Sequence, residues 1–251
     1  MIKALSISPP ANSVPFTPAE NYELAAGASE TLEFRGLNRQ RYGFDRIVPY
    51  ANLPAHVTLT AELNNEKILF RNVNVLALTR LFLHRHLIFP WVIRSANVLR
   101  VTVTNTHPTD TAIGSVMLNG VDEPYLAKME AAYQDAGIPT PSARLLYGNA
   151  TIPAQANDFA VNVEQPANDV LFRSMAIGTT SDSDILVKME IWTEKMKDLV
   201  FAEQINNEYS SLRSRVNFKL SQNTPFTLKT TNLNATDSVK FTYIAEAYDV
   251  E

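Results

Sequence analysis

Leu99-Arg100-Val101-Thr102-Val103-Thr104-Asn105 alternates apolar and polar side chains and ends on a pair suited to a turn. A period of two puts the apolar set on one face, as a half-buried antiparallel strand requires. The same alternation runs through residues 56–63, 159–163, 216–220 and 239–243. Clusters of Asn, Thr, Pro and Asp separate the runs, and these are turn residues. The reading is an all-β chain.

The quoted stretch has a counterpart 127 positions downstream. Thr104-Asn105 falls on Thr231-Asn232, Thr109-Asp110 on Thr236-Asp237, and Asp122 on Asp249. The strand phase agrees as well, with Leu99, Val101 and Val103 over Phe226, Leu228 and Thr230. Upstream, the alternation from Val57 to Leu63 meets that from Ile185 to Ile191 after a shift of one residue. Asn at the end of such a strand satisfies its own backbone through an Asx-turn, a structural role that needs no ligand. Each half offers roughly seven or eight short strands without crossover helices, which favours two facing antiparallel sheets. The expected fold class is therefore two tandem antiparallel β-sandwich, jelly-roll-like domains joined by a helix and linker. Their expected bounds are 19–122 and 157–251.

Between them, residues 123–136 read as a helix with Tyr125, Met129, Ala132 and Tyr133 on one face. Pro124 suits its first turn and Gly137 its end. Residues 138–157, rich in Pro, Ala and Asn, read as a linker, so that helix and linker together span 123–156. Residues 198–212, rich in Glu, Gln and Asn, suggest a second short helix. Pro9, Pro10, Pro15 and Pro18 keep residues 1–18 out of helix or central strand. An extended arm reaching onto a neighbouring subunit is expected there.

Composition narrows the chemistry. In 251 residues there is no cysteine, which excludes disulfides, thiolate metal sites and a cysteine nucleophile. None of the 8 glycines falls in a phosphate-cradling pattern. No apolar run is long enough for a membrane-spanning helix, and the N-terminus lacks the apolar core of a signal peptide. No catalytic signature occurs, so neither an enzyme nor a cofactor is expected. His84-Arg85-His86 and Asp182-Ser183-Asp184 have donor types for a transition metal and calcium respectively. Arginines crowd the first, and the second is ordinary turn composition. His56 and His107 complete the histidines, none of them singled out. Trp91 and Trp192 lie in or beside apolar strand runs and are expected in cores.

The net charge of −4 conceals a segregation: between Arg35 and Arg100 ten Lys/Arg face three acids. Arg35, Arg39, Arg41 and Arg46 cluster among Tyr and Phe, and Arg80 and Arg85 follow. Arginine forks match carboxylates bidentately, and the acidic remainder of a second copy supplies them. These six are the candidate interface residues, with a protein partner favoured over nucleic acid.

The segment Leu87-Ile88-Phe89-Pro90, then Val98–Asn105, then Val116-Met117-Leu118-Asn119-Gly120 resembles a pattern in virion proteins of tailed bacteriophages. The second half keeps Thr231-Asn232 but lacks the Phe-Pro step and has Ala247 in place of the glycine. The duplicated sandwich is also similar to the double jelly roll of icosahedral major capsid proteins. The resemblance implies a virion structural protein of capsid shell or decoration type, without enzymatic activity. It implies self-assembly into a homo-oligomer, a trimer with pseudo-sixfold lobes, contacts with other virion proteins, and location in the virion after assembly in host cytoplasm. A tail, baseplate or carbohydrate-binding module is the alternative.

Overall fold

The computed structural model describes residues 4–36, 40–64, 67–82, 87–94, 97–180, 185–192, 197–205, 218–222 and 226–249. The first half contains β1 (Ala19–Leu24), β2 (Ser29–Arg35), β3 (Tyr42–Ala51), β4 (Val57–Leu63) and β5 (Lys67–Asn74). Helix α1 (Val75–Phe82) follows, then β6 (Trp91–Ile93), β7 (Val98–Asn105) and β8 (Ala112–Val121). Helix α2 (Glu123–Asp135) leads to the second half. There the strands are β9 (Ala143–Ile152), β10 (Phe159–Val161), β11 (Val170–Thr179), β12 (Ile185–Trp192), β13 (Lys197–Ile205), β14 (Phe218–Leu220), β15 (Phe226–Asn232) and β16 (Val239–Asp249). Among the described residues no helix is long and apolar enough to cross a membrane.

The chain is all-β, with two antiparallel sandwiches in tandem. In the first, the sheet β1-β8-β3-β6 faces β2-β7-β4-β5. In the second, β9-β16-β11-β14 faces β10-β15-β12-β13, the same order strand for strand. Eight strands in this order make a jelly roll. Register is repeated too. Val57 lies opposite Asn105 and Leu63 opposite Leu99, while Ile185 lies opposite Asn232 and Ile191 opposite Phe226. The one-residue shift in the sequence repeat is thus real. A β-bulge between Phe44 and Arg46 of β3 recurs between Phe172 and Ser174 of β11. Bulges re-aim a strand, and one kept in both halves belongs to the architecture.

The alternation seen in β7 is the alternation of burial. Leu99, Val101 and Val103 are buried with Leu59, Phe70 and Ile47 in the first core, and Leu228 with Phe172, Ile177 and Phe241 in the second. Each such side chain contributes about 1.5–3 kcal/mol when fully buried.

Asn105 and Asn232 end their strands fully buried. The Asn105 amide donates to the carbonyls of Leu24, Ala25 and Asp110, and its oxygen accepts the His107 N–H. The Asn232 amide donates to Ile152, Pro153 and Asp237, and its oxygen accepts the Asn234 N–H. The expected Asx-turn is present twice. Each amide also ties the end of a strand in one sheet to the end of a strand in the other.

Helix α2 starts and stops where its sequence signals it. The Asp122 carboxylate caps the Tyr125 N–H, Pro124 sits in the first turn, and Gly137 has a φ of 64°. Its N–H bonds to Gln134 and that of Ile138 to Tyr133, which closes a Schellman motif.

Three expectations change. Over residues 198–205 the expected helix is strand β13, laddered to β12, so cross-strand pairing outweighs local propensity. Residues 206–212 lie outside the described residues. The expected linker contains β9, paired along its length with β16. Leu146 of β9 faces the second core and Leu145 the first, so a strand buried on both faces loses its alternation. The arm folds onto its own chain. Ser13 and Val14 bind the Asp122 carboxylate, the Tyr125 hydroxyl donates to the Ile7 carbonyl, and buried Phe16 stacks on Tyr42 at 4.2 Å.

Replacing Asn105 with Ala strands three carbonyls, and the expected loss is about 3 kcal/mol of unfolding free energy. Asn105→Asp, which buries a charge met by the His107 N–H but set against three carbonyl oxygens, is expected to lose more. Urea titration of both variants checks this order.

Candidate assembly surfaces

The residues best placed to join lobes are those that already do. The face of the β9-β16-β11-β14 sheet turned away from its own core is buried by the β5–α1–β6 end of the first sandwich. Ala176, Ile244 and Tyr248 of that face share the first core with Ala77, Leu78 and Leu81 of α1. The Asn74 side chain caps α1 at the Ala77 N–H and lies against Gly178, where a Cβ would overlap it. Arg80 Nη1 donates to the Ile177 carbonyl at 2.6 Å, and Trp91 Nε1 donates to the Ala143 carbonyl at 3.1 Å.

A polar cluster crosses the same junction. Buried Glu246 accepts from Arg173 Nη1 at 2.9 Å, from the Ser174 hydroxyl at 2.8 Å and from the Tyr248 hydroxyl. Tyr248 in turn accepts the Ile88 N–H of the first sandwich at 2.8 Å. Burial, then the Glu246 charge, pushes the Tyr248 phenol far up, so it stays a donor to that carboxylate. A buried carboxylate persists only when paired and hydrogen-bonded in this way. The signal in sequence was an acid between Ala245 and Ala247 in the otherwise apolar run Tyr243–Tyr248.

Four of the six candidate interface arginines are described, and they do not form one patch. Arg41 is held within the chain. It makes a fork with Glu123 at 2.6 Å and with Glu130 at 2.9 Å, both on α2, and its backbone N–H also donates to Glu123. Hydrogen bonds from the Arg41 side chain hold the Glu123 carboxyl below its ordinary range. Arg35 is exposed and shares Glu33 with Arg100. Arg46 lies 4.0 Å from Asp45 at the bulge, and Arg80 is spent on the lobe junction. Arg39 and Arg85 lie outside the described residues, as do His84, His86 and the Asp182/Asp184 calcium candidate. Trp91 is buried as expected, tilted on Phe44 at 5.3 Å, whereas the Trp192 side chain is outside the described ones.

The fold brings together a histidine pair that sequence distance concealed. His56 and His107 stand edge to face at 4.6 Å, beside Lys240 of the second sandwich, whose ammonium donates to the Thr106 carbonyl at 3.5 Å. Burial, then His107 and Lys240, lowers the His56 pKa against a smaller pull from Asp110. Two further features lie on the surface. A cleft of about 240 Å³ between the sandwiches is lined by Lys67, Arg144, Glu164 and Trp91. A shallow depression of about 540 Å³ on the first sandwich is lined by Asn21, Glu23, Glu30, Tyr50, Ile113 and Ser115. Among the described residues no group of three or more carboxylates and histidines is placed to hold a metal ion.

No protein-family model matches the sequence, and no curated protein sequence matches it. The fold does match solved structures. One is the crystal structure of the STIV major capsid protein, with a TM-score of 0.50 and 10% identity over 94% of this chain and 97% of that one. Another is a chain in the atomic structure of Sulfolobus Turreted Icosahedral Virus, with a TM-score of 0.50 and 11% identity over 94% and 90%. At such identity the likeness is one of fold. Both come from an archaeal virus, so the tailed-phage part of the sequence resemblance gains no support.

Arg41→Gln should cost roughly 1 kcal/mol, since the fork is partly exposed, and the deficit should shrink in high salt. Chemical denaturation at two ionic strengths measures it. For His56 the folded pKa lies below the unfolded value near 6.5, so the unfolded chain binds more protons. Stability should be complete above about pH 7.5 and fall as pH drops through about 6.5. His56→Gln should flatten that slope in denaturation curves taken from pH 5 to 7.5.

Proposed function

We propose that this chain is a structural subunit of an icosahedral virus particle and acts by self-assembly. The observation that carries the reading is the tandem repetition of one eight-stranded jelly roll, in order and register, within one chain. Two similar lobes per subunit let three subunits surround an axis with six lobes, so the trimer is the oligomer proposed. Closed cyclic assemblies of this kind are the common outcome for identical chains. The likeness to a viral major capsid protein over nearly the whole chain supports a shell role above a decoration role.

The same reading places the protein in the virion, assembled in host cytoplasm and in contact with other virion proteins. Against a carbohydrate-binding module stands the burial of Trp91, which removes it from any exposed aromatic platform. Arg41 is paired within the chain, so orientation between copies rests on other charges, such as exposed Arg35 and the acids Glu23 and Glu30 on one flank of the first sandwich.

Purified full-length protein should have three times the chain mass in solution and show six lobes in electron microscopy of single particles. A strictly monomeric protein at tens of micromolar, in low and high salt alike, would overturn the reading.

A further inference from the structure

We propose that His56 and His107, with Lys240 of the second sandwich, form an acid-operated latch. At neutral pH they close the turn between β7 and β8 and hold it against the second sandwich, and on gaining protons they release both. The latch lies within one chain, so it stands apart from the assembly reading and from the oligomer that reading requires.

An unprotonated nitrogen closes the turn. His107 Nδ1 accepts the Asp110 N–H at 2.9 Å and the Thr109 N–H at 3.4 Å. A ring nitrogen that accepts carries no proton, so these bonds assign the neutral tautomer with its proton on Nε2. Charging this ring means protonating Nδ1, which turns the acceptor into a donor aimed at two other donors. The second sandwich closes the equivalent turn without a titratable group. There the Asn234 side-chain oxygen accepts the Thr236 and Asp237 N–H groups at 2.9 and 3.0 Å. One turn is therefore open to acid and its copy is not.

The same turn reaches the other sandwich. The Thr106 N–H and hydroxyl both donate to the His56 carbonyl, at 2.8 and 2.7 Å, and Lys240 Nζ on β16 donates to the Thr106 carbonyl. The two rings stand edge to face, and among the described residues the buried His56 Nδ1 has no hydrogen-bond partner. A proton placed there meets no acceptor, and two imidazolium ions so close repel each other and the Lys240 ammonium. Among the described residues, the charged groups that face the pair are Lys240 from β16 and Asp110 from the turn itself. The Asp110 carboxylate lies 3.7 Å from His107 Nδ1, but it is 62% exposed and one of its oxygens already accepts the Thr109 hydroxyl. Water screens it, so it offsets only part of the repulsion. The downward push on the His56 pKa, from burial first and then from His107 and Lys240, agrees in sign: the closed form resists protons and the opened form takes them up.

Hydrogen exchange of the full chain, read by mass spectrometry, compares the two turns side by side. After correction for intrinsic rates, protection of residues 105–111 should fall about fivefold or more between about pH 7.5 and pH 5.5, while that of residues 232–238 stays level. Equal behaviour of the two turns overturns the latch, and this arm needs no variant. His107→Asn, which copies Asn234, should keep the protection at neutral pH and remove its acid sensitivity. Acid sensitivity that persists in this variant overturns the role of His107. The link between sandwiches is read from the imidazole proton resonances followed through pH. Lys240→Met should raise the proton affinity of His56 by about twofold or more, and an unmoved midpoint overturns the part given to the second sandwich. A strictly monomeric protein that gives all the expected results defeats the assembly reading and leaves the latch intact.

Discussion

A buried side-chain amide at the end of β7, and its copy at the end of β15, holds each sandwich closed. A β-sandwich is two sheets held mainly by apolar contact, which is strong but non-directional. Asn105 adds direction. It sits in the β2-β7-β4-β5 sheet and donates to carbonyls at the end of β1 and before β8, both in the other sheet. The Asn105 amide and its bond to the Leu24 carbonyl are buried, so leaving that pair unmade would be expensive. The amide thus sets where the strands end, how the sheets are offset and where the turn into β8 begins. Its neighbours differ between the halves, His107 in one and Asn234 in the other. In both halves that side chain caps the same turn, accepting the Asp110 or Asp237 N–H.

What was legible in the sequence tracks how many faces of an element are wet. Strands β4 and β7 have one buried face, and their alternation marks them at once. Strands β9, β11 and β16 are covered on both faces, by their own core and by the other sandwich. The period-two signature is therefore lost in β9, in β11 and in β16 beyond Tyr243, and Ala143–Ile152 passes for a linker. Helix α1 was missed for a different reason. Val75–Phe82 is only eight residues long and follows β5 directly, and a mainly apolar run of that length reads as strand as readily as helix. The α2 boundaries were legible because capping is local chemistry.

The surfaces were harder to read than the fold. Arg41 belonged to a promising cluster, but the acids that satisfy it lie on α2 of the same chain, and no spacing rule reveals a partner more than eighty residues away. Tyr50 and Ile113 gave no signal either. An aromatic or β-branched residue on a strand looks the same whether its face is covered or bare. Only the comparison of one sandwich with the other shows that a face buried in the second is open in the first. The repeat is legible in the sequence, and the positions where the two halves differ, such as Tyr50 and Gly178, are what distinguish their surfaces.

The meeting of Asn74 with Gly178 fixes the order of the two lobes. By strand order alone, either sandwich could occupy either place. A tyrosine at position 50 and a glycine at position 178 end that freedom. A first lobe set in the second position would drive a phenol ring into the cap of α1, and a second lobe set in the first would lack the Tyr50 ring. Each lobe has become the wrong shape for the other's seat, so the order of the two along the gene is now as binding as the order of strands within either.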